Sequence, residues 1–178
     1  ALQAKGRKVL ISVGGANHPI HLDKASDVTA FVNSLAGIVN SYGFDGIDID
    51  LEGSSLTLKQ GDTDFTNPTT PRIVNLIKAL QQLRARFPAP FLLTFAPETA
   101  QVQGGYARYV GIWGAYLPVL HALRSQLTHV HVQHYNTGSM YGRNGRSWKP
   151  GTGDFHVAMA DMLLAGFQVS GGEFFPPF

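Results

Sequence analysis

The chain repeats a strand-then-helix pattern four times. Apolar runs begin near residues 9, 46, 91 and 130, and apolar residues at helical spacing follow each run. Strands that alternate with helices form parallel sheets, because each helix carries the chain back to the start of the next strand. The run from Phe91 to Ala96 is apolar on both faces, as in a strand covered by helices. The sequence predicts an α/β fold, either a doubly wound sheet or part of an eight-unit barrel.

Capping residues mark the predicted helices. Helix starts are expected near Asp27, at Thr70 followed by Pro71, and at Thr152 or Asp154. Glycines end the first and last of these helices, at Gly43 and Gly166. The apolar residues expected along the last helix are Val157, Met159, Ala160, Leu163 and Leu164.

The second predicted strand carries an acidic ridge. Its side chains alternate between two faces, with period two. The aliphatic face holds Ile47, Ile49 and Leu51, and the acidic face holds Asp48, Asp50 and Glu52. Carboxylates about 6.6 Å apart along a strand repel one another, so at least one of the three is expected to keep its proton near neutral pH. A protonated carboxyl in such a cluster is suited to general acid catalysis.

Two other interpretations of the ridge stay open. The acids could form the solvated edge of a surface strand, or they could bind a divalent cation. No second acidic cluster or calcium-binding loop pattern occurs elsewhere in the chain, which disfavours the cation. We therefore expect no metal and no cofactor.

Composition narrows the function classes. Apolar residues make up 44% of the 178 residues, which is enough for a core. The net charge of +2 is too small to indicate a nucleic acid or membrane partner. The chain has no cysteine, which excludes thiol chemistry, and it shows neither a signal peptide nor an apolar run of spanning length.

The fourth predicted strand runs from Val130 to Asn136. It is expected to place His129, His131, Gln133 and Tyr135 on one face. The two histidines could be metal ligands, although core histidines are the favoured interpretation. The preceding loop carries Tyr106, Tyr109 and Trp113, most of which we expect in the core, with one or two available to stack on a sugar.

The octapeptide Asp45-Gly46-Ile47-Asp48-Ile49-Asp50-Leu51-Glu52 resembles the DGxDxDxE signature of glycoside hydrolase family 18, the chitinases and their relatives. Three other segments resemble motifs of this family in the right order. They are Ser12-Val13-Gly14-Gly15, Phe95-Ala96-Pro97-Glu98 and Gln133-His134-Tyr135-Asn136. The second of these, Phe95-Ala96-Pro97-Glu98, is similar to the strand end of plant class III and related bacterial chitinases.

The resemblance implies a catalytic set of Glu52, Asp50, Asp48 and Tyr135. Glu52 would be the general acid in a substrate-assisted, retaining mechanism. Asp50 would orient the acetamido group of the sugar, Asp48 would share a proton with Asp50, and Tyr135 would donate its hydroxyl to the acetamido oxygen. Asp45 would anchor the turn before the strand. Candidate substrate-binding residues are Gln133, Asn136, Glu98, Gly14 and Gly15.

The implied activity is that of a secreted chitinase acting on chitin or its oligosaccharides. An endo-β-N-acetylglucosaminidase acting on N-glycans and a lectin-like family member that binds chitin without cleaving it remain alternatives.

The implied fold is a (β/α)8 TIM barrel. Because such barrels typically need ~250 residues, we interpret residues 1–178 as a partial catalytic domain that holds about four central units. Such a segment alone is expected to be inactive and to associate through uncovered strand edges.

Overall fold

A four-stranded parallel sheet lies at the centre of the protein. The computed structural model describes residues 2–178. The sheet contains β1 (Leu10–Gly14), β2 (Gly46–Asp50), β3 (Leu92–Phe95) and β4 (His129–Val130), in that order. Gly14 pairs with Asp50, and Ile49 pairs with Phe95. Sequential strands are therefore neighbours, as consecutive βα units require.

Four α-helices follow the strands. They are α1 (Ala25–Tyr42), α2 (Pro71–Arg86), α3 (Leu117–Ala122) and α4 (Gly153–Ala165). The predicted alternation of strands and helices is confirmed. None of the helices between residues 2 and 178 is long and apolar enough to span a bilayer.

Gly43 and Thr152 cap their helices as predicted, whereas Thr70 does not. The α1 helix ends at Gly43, whose N–H donates to the carbonyl of Val39. The hydroxyl of Thr152 accepts from the N–H of Phe155 at 3.3 Å and so begins α4. Thr70 occupies the N-cap position of α2, but its hydroxyl donates to buried Asp62 instead of capping the helix.

The aliphatic face of β2 lies in the core. Ile47, Ile49 and Leu51 are each at most 1% exposed. They belong to the same buried cluster as the apolar stripes of α1 and α2, which pack on each other. Full burial of an aliphatic side chain stabilises the fold by about 1.5–3 kcal/mol, so this face fixes the orientation of the strand. A slip of one residue would exchange the aliphatic and acidic faces.

The fourth strand is shorter than predicted. Ladder pairing covers only His129 and Val130, and one further bridge joins Glu98 to Gln133. Asn136, at the predicted end, has a φ of 48° in the left-handed region and cannot continue a strand. The segment from 131 to 136 therefore leaves the sheet gradually.

The buried face of α4 was predicted only in part. Met159 is buried, but Val157 and Leu164 are 70% and 74% exposed. The core contacts come from Phe155, Met159 and Met162. Because α4 carries apolar residues on most of its circumference, their spacing does not select one face.

Two antiparallel hairpins were not predicted. The first joins β5 (Met140–Tyr141) to β6 (Ser147–Trp148), and the second joins β7 (Phe167–Gln168) to β8 (Phe174–Phe175). The first hairpin had a signal in the sequence, because Asn144-Gly145 is a favoured hairpin turn.

Candidate active site

The acidic ridge has the predicted geometry. Asp48 and Asp50 lie on β2, and Glu52 continues the same face with extended backbone just beyond the strand. All three are partly exposed, whereas the intervening aliphatic residues are buried. The ridge is therefore open to a ligand on one side and held by the core on the other.

Asp48 is surrounded by donors from neighbouring strands. Its Oδ2 accepts from the hydroxyl of Ser12 at 3.1 Å. Its Oδ1 accepts from the hydroxyl of Thr94 at 2.5 Å and lies 2.9 Å from Nε2 of His131. Both oxygens are thus occupied by groups other than Asp50. The predicted proton sharing between Asp48 and Asp50 stays a prediction.

Asp50 and Glu52 are linked by one side-chain amide. Nε2 of Gln133 lies 2.8 Å from Oδ1 of Asp50, 3.1 Å from Oε1 of Glu52 and 2.9 Å from the carbonyl oxygen of Ala96. An amide nitrogen has two hydrogens for these three acceptors. The Gln133 amide therefore cannot donate a full hydrogen bond to each of the three acceptors at once.

The environment of Asp50 favours its protonated form. Burial raises the pKa of Asp50 to about 6, and the negative charges of Glu52 and then Asp48 add to the rise. The hydrogen bond from Gln133 works in the opposite direction. The carboxyl group of Asp50 therefore holds its proton up to about pH 6, next to Glu52 on the same face of the strand. A proton at this place in the ridge is available to a bound molecule.

A cavity of about 260 Å³ opens beside Glu52. Five of the predicted site residues line it: Glu52, Glu98, Gln133, Tyr135 and Asn136. Tyr135 is 62% exposed at the rim, where its ring can contact a ligand. Trp113 is the loop aromatic that also lines the cavity, and its stacking on a sugar stays a prediction. Tyr109 is 7% exposed and belongs to the core, as expected for most of these aromatics.

Three candidate substrate-binding residues already have partners within the protein. Oε2 of Glu98 accepts from the N–H of Gly53 at 2.7 Å. The N–H of Gly15 donates to the carbonyl of Asp50 at 2.7 Å. Gly14 approaches the same carbonyl so closely that a Cβ would lie 2.1 Å from its oxygen. These contacts shape the end of β2, and a role in sugar binding stays a prediction.

Replacement of Gly14 by Ala is expected to destabilise the protein by at least about 2 kcal/mol, because the new Cβ meets backbone and φ is +118°. Gly15→Ala is the matched control, since its φ is also positive but no atom lies within 4 Å. Chemical unfolding of both variants measures the difference. Equal losses of unfolding free energy would show that the clash at Gly14 has no effect.

Asp45 anchors the start of the strand. Its carboxylate accepts from Nε2 of Gln3, Nζ of Lys8 and the N–H of Val9, each at 2.9 Å. These hydrogen bonds, led by that from Gln3, lower the pKa of Asp45 to about 2. Asp45 therefore stays charged and outside the ridge, in agreement with the anchoring role inferred from the sequence.

His131 contacts Asp48, as described above, and its ring lies 5.4 Å from that of His129. Between residues 2 and 178, no group of three or more His, Cys, Asp or Glu side chains is arranged to hold a metal ion. His129 and His131 are both exposed, so the expectation that they lie in the core is wrong.

Sequence reasoning missed two buried residues that contact the end of β2. The hydroxyl of Tyr116 accepts from the N–H of Leu51 at 2.8 Å, and Nε2 of Gln101 donates to the carbonyl of Leu51 at 3.2 Å. Both side chains are fully buried. No local signal reveals such contacts, because the partners lie 65 and 50 residues apart in the sequence.

The fold and the acidic ridge are those of a family of sugar-cleaving enzymes. The family described as glycosyl hydrolases family 18 matches residues 1–161, and the chain belongs to this family. The predicted family is confirmed, and so is the fold class, a (β/α)8 barrel of which the sheet described here is a part.

Individual relatives are chitinases by name. Chitinase D of Niallia circulans is 63% identical over 179 residues, and Chitinase Chi52 of Paenibacillus xylanexedens is 62% identical over 178 residues. Each match covers 99% of this chain and 34% of the relative, so the chain spans about a third of their length. The crystal structure of a family GH18 chitinase from Chromobacterium violaceum superposes with a TM-score of 0.87 at 41% identity, covering 99% of this chain and 46% of that one.

Proposed function

We propose that the protein containing this chain is a chitinase, which hydrolyses β-1,4 linkages between N-acetylglucosamine units. The observation that supports the proposal is Glu52 at the edge of an open cavity, next to Asp50, which retains its proton up to about pH 6. The names of the similar proteins support the same substrate class. In this proposal, residues 1–178 are the central part of the catalytic barrel.

Glu52 acts as the general acid. It gives its proton to the glycosidic oxygen as the bond between that oxygen and the anomeric carbon breaks. The acetamido carbonyl oxygen of the same sugar attacks the anomeric carbon and forms an oxazolinium ion. Glu52, now a carboxylate, takes a proton from a water molecule that opens this ion from the face of the departed group. The product keeps the configuration of the substrate.

Asp50 orients and stabilises the reacting acetamido group. Its carboxylate accepts the acetamido N–H and so lowers the energy of the positive charge that develops on that group. Tyr135 donates its hydroxyl to the acetamido oxygen from the rim of the cavity. Asp48 shares a proton with Asp50, and the hydroxyl groups of Ser12 and Thr94 fix the orientation of its carboxyl group. Gln133 and Asn136 contact the sugar.

Secretion agrees with this function, because chitin lies outside cells. The protein needs no cofactor or metal in this mechanism, since the nucleophile belongs to the substrate. Chitin or its oligosaccharides are the only partners that the proposal requires.

The product from a chitin oligomer tests the proposal. Proton NMR of the fresh hydrolysate of the complete protein should show the β-anomer first, followed by slow equilibration with the α-anomer. An initial α-anomer would exclude the acetamido-assisted mechanism. A parallel incubation with an N-glycosylated protein separates the alternatives: release of glycans without cleavage of chitin oligomers would indicate an endo-β-N-acetylglucosaminidase, and binding without cleavage would indicate a lectin.

A further inference from the structure

The strands β2 and β3 separate just before Glu52. The last direct contact between them is the hydrogen bond from the N–H of Ala96 to the carbonyl of Ile49 at 2.9 Å. With the period of two of a strand, the next contact would join Glu98 to Leu51. The strands do not make this contact, and the backbone of residues 51–53 leaves the sheet at the point where the acid is attached.

A side-chain amide fills the gap between the strands. The N–H of Glu98 donates to Oε1 of Gln101 at 3.2 Å, and Nε2 of Gln101 donates to the carbonyl of Leu51 at 3.2 Å. The Gln101 side chain thus takes the place of a peptide unit between Glu98 and Leu51. Since Gln101 is fully buried, both its donor and its acceptor need partners, and these contacts supply them.

A tyrosine hydroxyl satisfies the other polar group of Leu51. The Tyr116 hydroxyl accepts from the N–H of Leu51 at 2.8 Å and donates to the carbonyl of Ile49 at 3.4 Å. The Tyr116 N–H in turn donates to the carbonyl of Gln101 at 3.0 Å. Tyr116 is fully buried, and its ring packs edge-on against Phe95 of β3. Neither Tyr116 nor Gln101 can reorient without leaving buried groups of Leu51 unpaired.

A carboxylate holds the backbone on the far side of Glu52. Oε2 of Glu98 accepts from the N–H of Gly53 at 2.7 Å. Gly53 has a φ of +52°, so the chain turns sharply here, and the Glu52 carbonyl accepts from the N–H of Ser55 at 3.0 Å. Glu52 therefore lies between two residues, Leu51 and Gly53, whose backbone groups are bound by side chains from the segment after β3.

We propose that Gln101, Tyr116 and Glu98 are positioning residues that replace the missing strand contacts and aim the carboxyl group of Glu52. This inference rests on the proposed function of Glu52 as the acid. It also assigns Glu98 a role other than sugar binding: its carboxylate serves as a hydrogen-bond acceptor for Gly53. Small errors in the placement of a reacting group cost large factors in rate, so the clamp formed by these three residues acts on kcat.

Steady-state kinetics of the complete protein on a chitin oligomer test the clamp. Tyr116→Phe and Glu98→Ala are each expected to lower kcat by about 10- to 100-fold and to change KM by less than about 2-fold. Glu98→Gln keeps an acceptor oxygen and is expected to recover most of the lost kcat. If Glu98 contacted the sugar, Glu98→Ala and Glu98→Gln would both raise KM. That result would overturn the role assigned to Glu98.

Matched controls separate positioning from general loss of structure. Tyr109→Phe removes a buried hydroxyl that has no partner within the described residues, and Glu173→Ala removes an exposed carboxylate. Both are expected to leave kcat and KM unchanged. A loss of kcat in Tyr109→Phe equal to that in Tyr116→Phe would show that the contact to Leu51 is not responsible.

Amide hydrogen exchange provides a measurement that does not need activity. In the wild-type protein the amides of Leu51 and Gly53 are expected to be protected from exchange. Tyr116→Phe is expected to speed exchange at Leu51, and Glu98→Ala is expected to speed exchange at Gly53. Unchanged protection in both variants would refute the clamp even if the wild-type protein is active. Conversely, an inactive wild-type protein with the expected exchange pattern would refute the proposed function and leave the clamp standing.

Discussion

Replacement of Glu52 by Gln is expected to lower kcat on a chitin oligomer by about 10²- to 10⁴-fold, the range that one general acid contributes. Gln has nearly the same shape, and its amide oxygen can still accept from Nε2 of Gln133, which lies 3.1 Å from Oε1 of Glu52. Sugar binding should therefore change little. Kinetics measure the first quantity, and calorimetric titration of the inactive variant with the oligomer measures the second.

The control for this substitution is Glu173→Gln, the same chemical change at an exposed position in the turn between β7 and β8. It should leave turnover unaffected. If Glu52→Gln kept wild-type kcat, Glu52 would not be the acid. If Glu52→Gln lost sugar binding together with activity, the carboxylate of Glu52 would stabilise the bound substrate as well as the transition state.

Replacement of Asp50 by Asn is expected to reduce kcat by about 10²- to 10³-fold, the loss that follows removal of one group that stabilises developing charge. It should also stabilise the protein at neutral pH. The wild-type pKa of Asp50 is raised from 3.8 to about 6. The folded state therefore binds this proton more tightly than the unfolded state, and stability falls as pH rises from about 4 to about 6.

Asn has no titrating group, so the stability of the Asp50→Asn variant does not fall in this way as pH rises. Because Asp50 is partly solvated, water screens the repulsion, and the gain in unfolding free energy at pH 7 is on the order of 1 kcal/mol. The gain should disappear below about pH 4, where the wild-type carboxyl is protonated in both states. Urea unfolding at these two pH values measures it. If the variant were less stable than wild type at pH 7, the charged form of Asp50 would not be destabilised by its surroundings.

The same substitution has a predicted effect on the pH profile. In the wild-type protein kcat/KM should fall as pH rises through about 6, because Asp50 then loses the proton that it holds next to the general acid. In Asp50→Asn the group that titrates near pH 6 is gone, so the fall at this pH should disappear. A residual activity with an unshifted profile would place the titrating proton elsewhere.

The parts of the fold that the sequence predicted depend on local spacing. The alternation of Ile47, Ile49 and Leu51 with three acids has only one placement in which the aliphatic face is buried, and the structure adopts it. The caps at Thr152 and Gly43 likewise follow from the needs of adjacent backbone groups. Such features are decided within a few residues.

The parts that the sequence did not predict depend on contacts between distant segments. Thr70 has the residue type and position of a helix cap, but its hydroxyl donates to buried Asp62 and makes no capping hydrogen bond. Glu98 stands at a strand end where a sugar contact would be expected, yet its carboxylate is bound to Gly53. In both cases the partner, which is the buried side chain of Asp62 or the backbone N–H of Gly53, becomes apparent only after the chain is folded.

The surroundings of Asp48 limit how the octapeptide could be reused in protein design. Its oxygens are contacted by Ser12, Thr94 and His131, which come from β1, from β3 and from the segment that follows β4. A transplanted octapeptide would arrive with its charges and without these donors. A designer who wishes to graft the motif onto another scaffold must therefore carry over side chains from three neighbouring segments, because the short linear sequence is only one part of the functional unit.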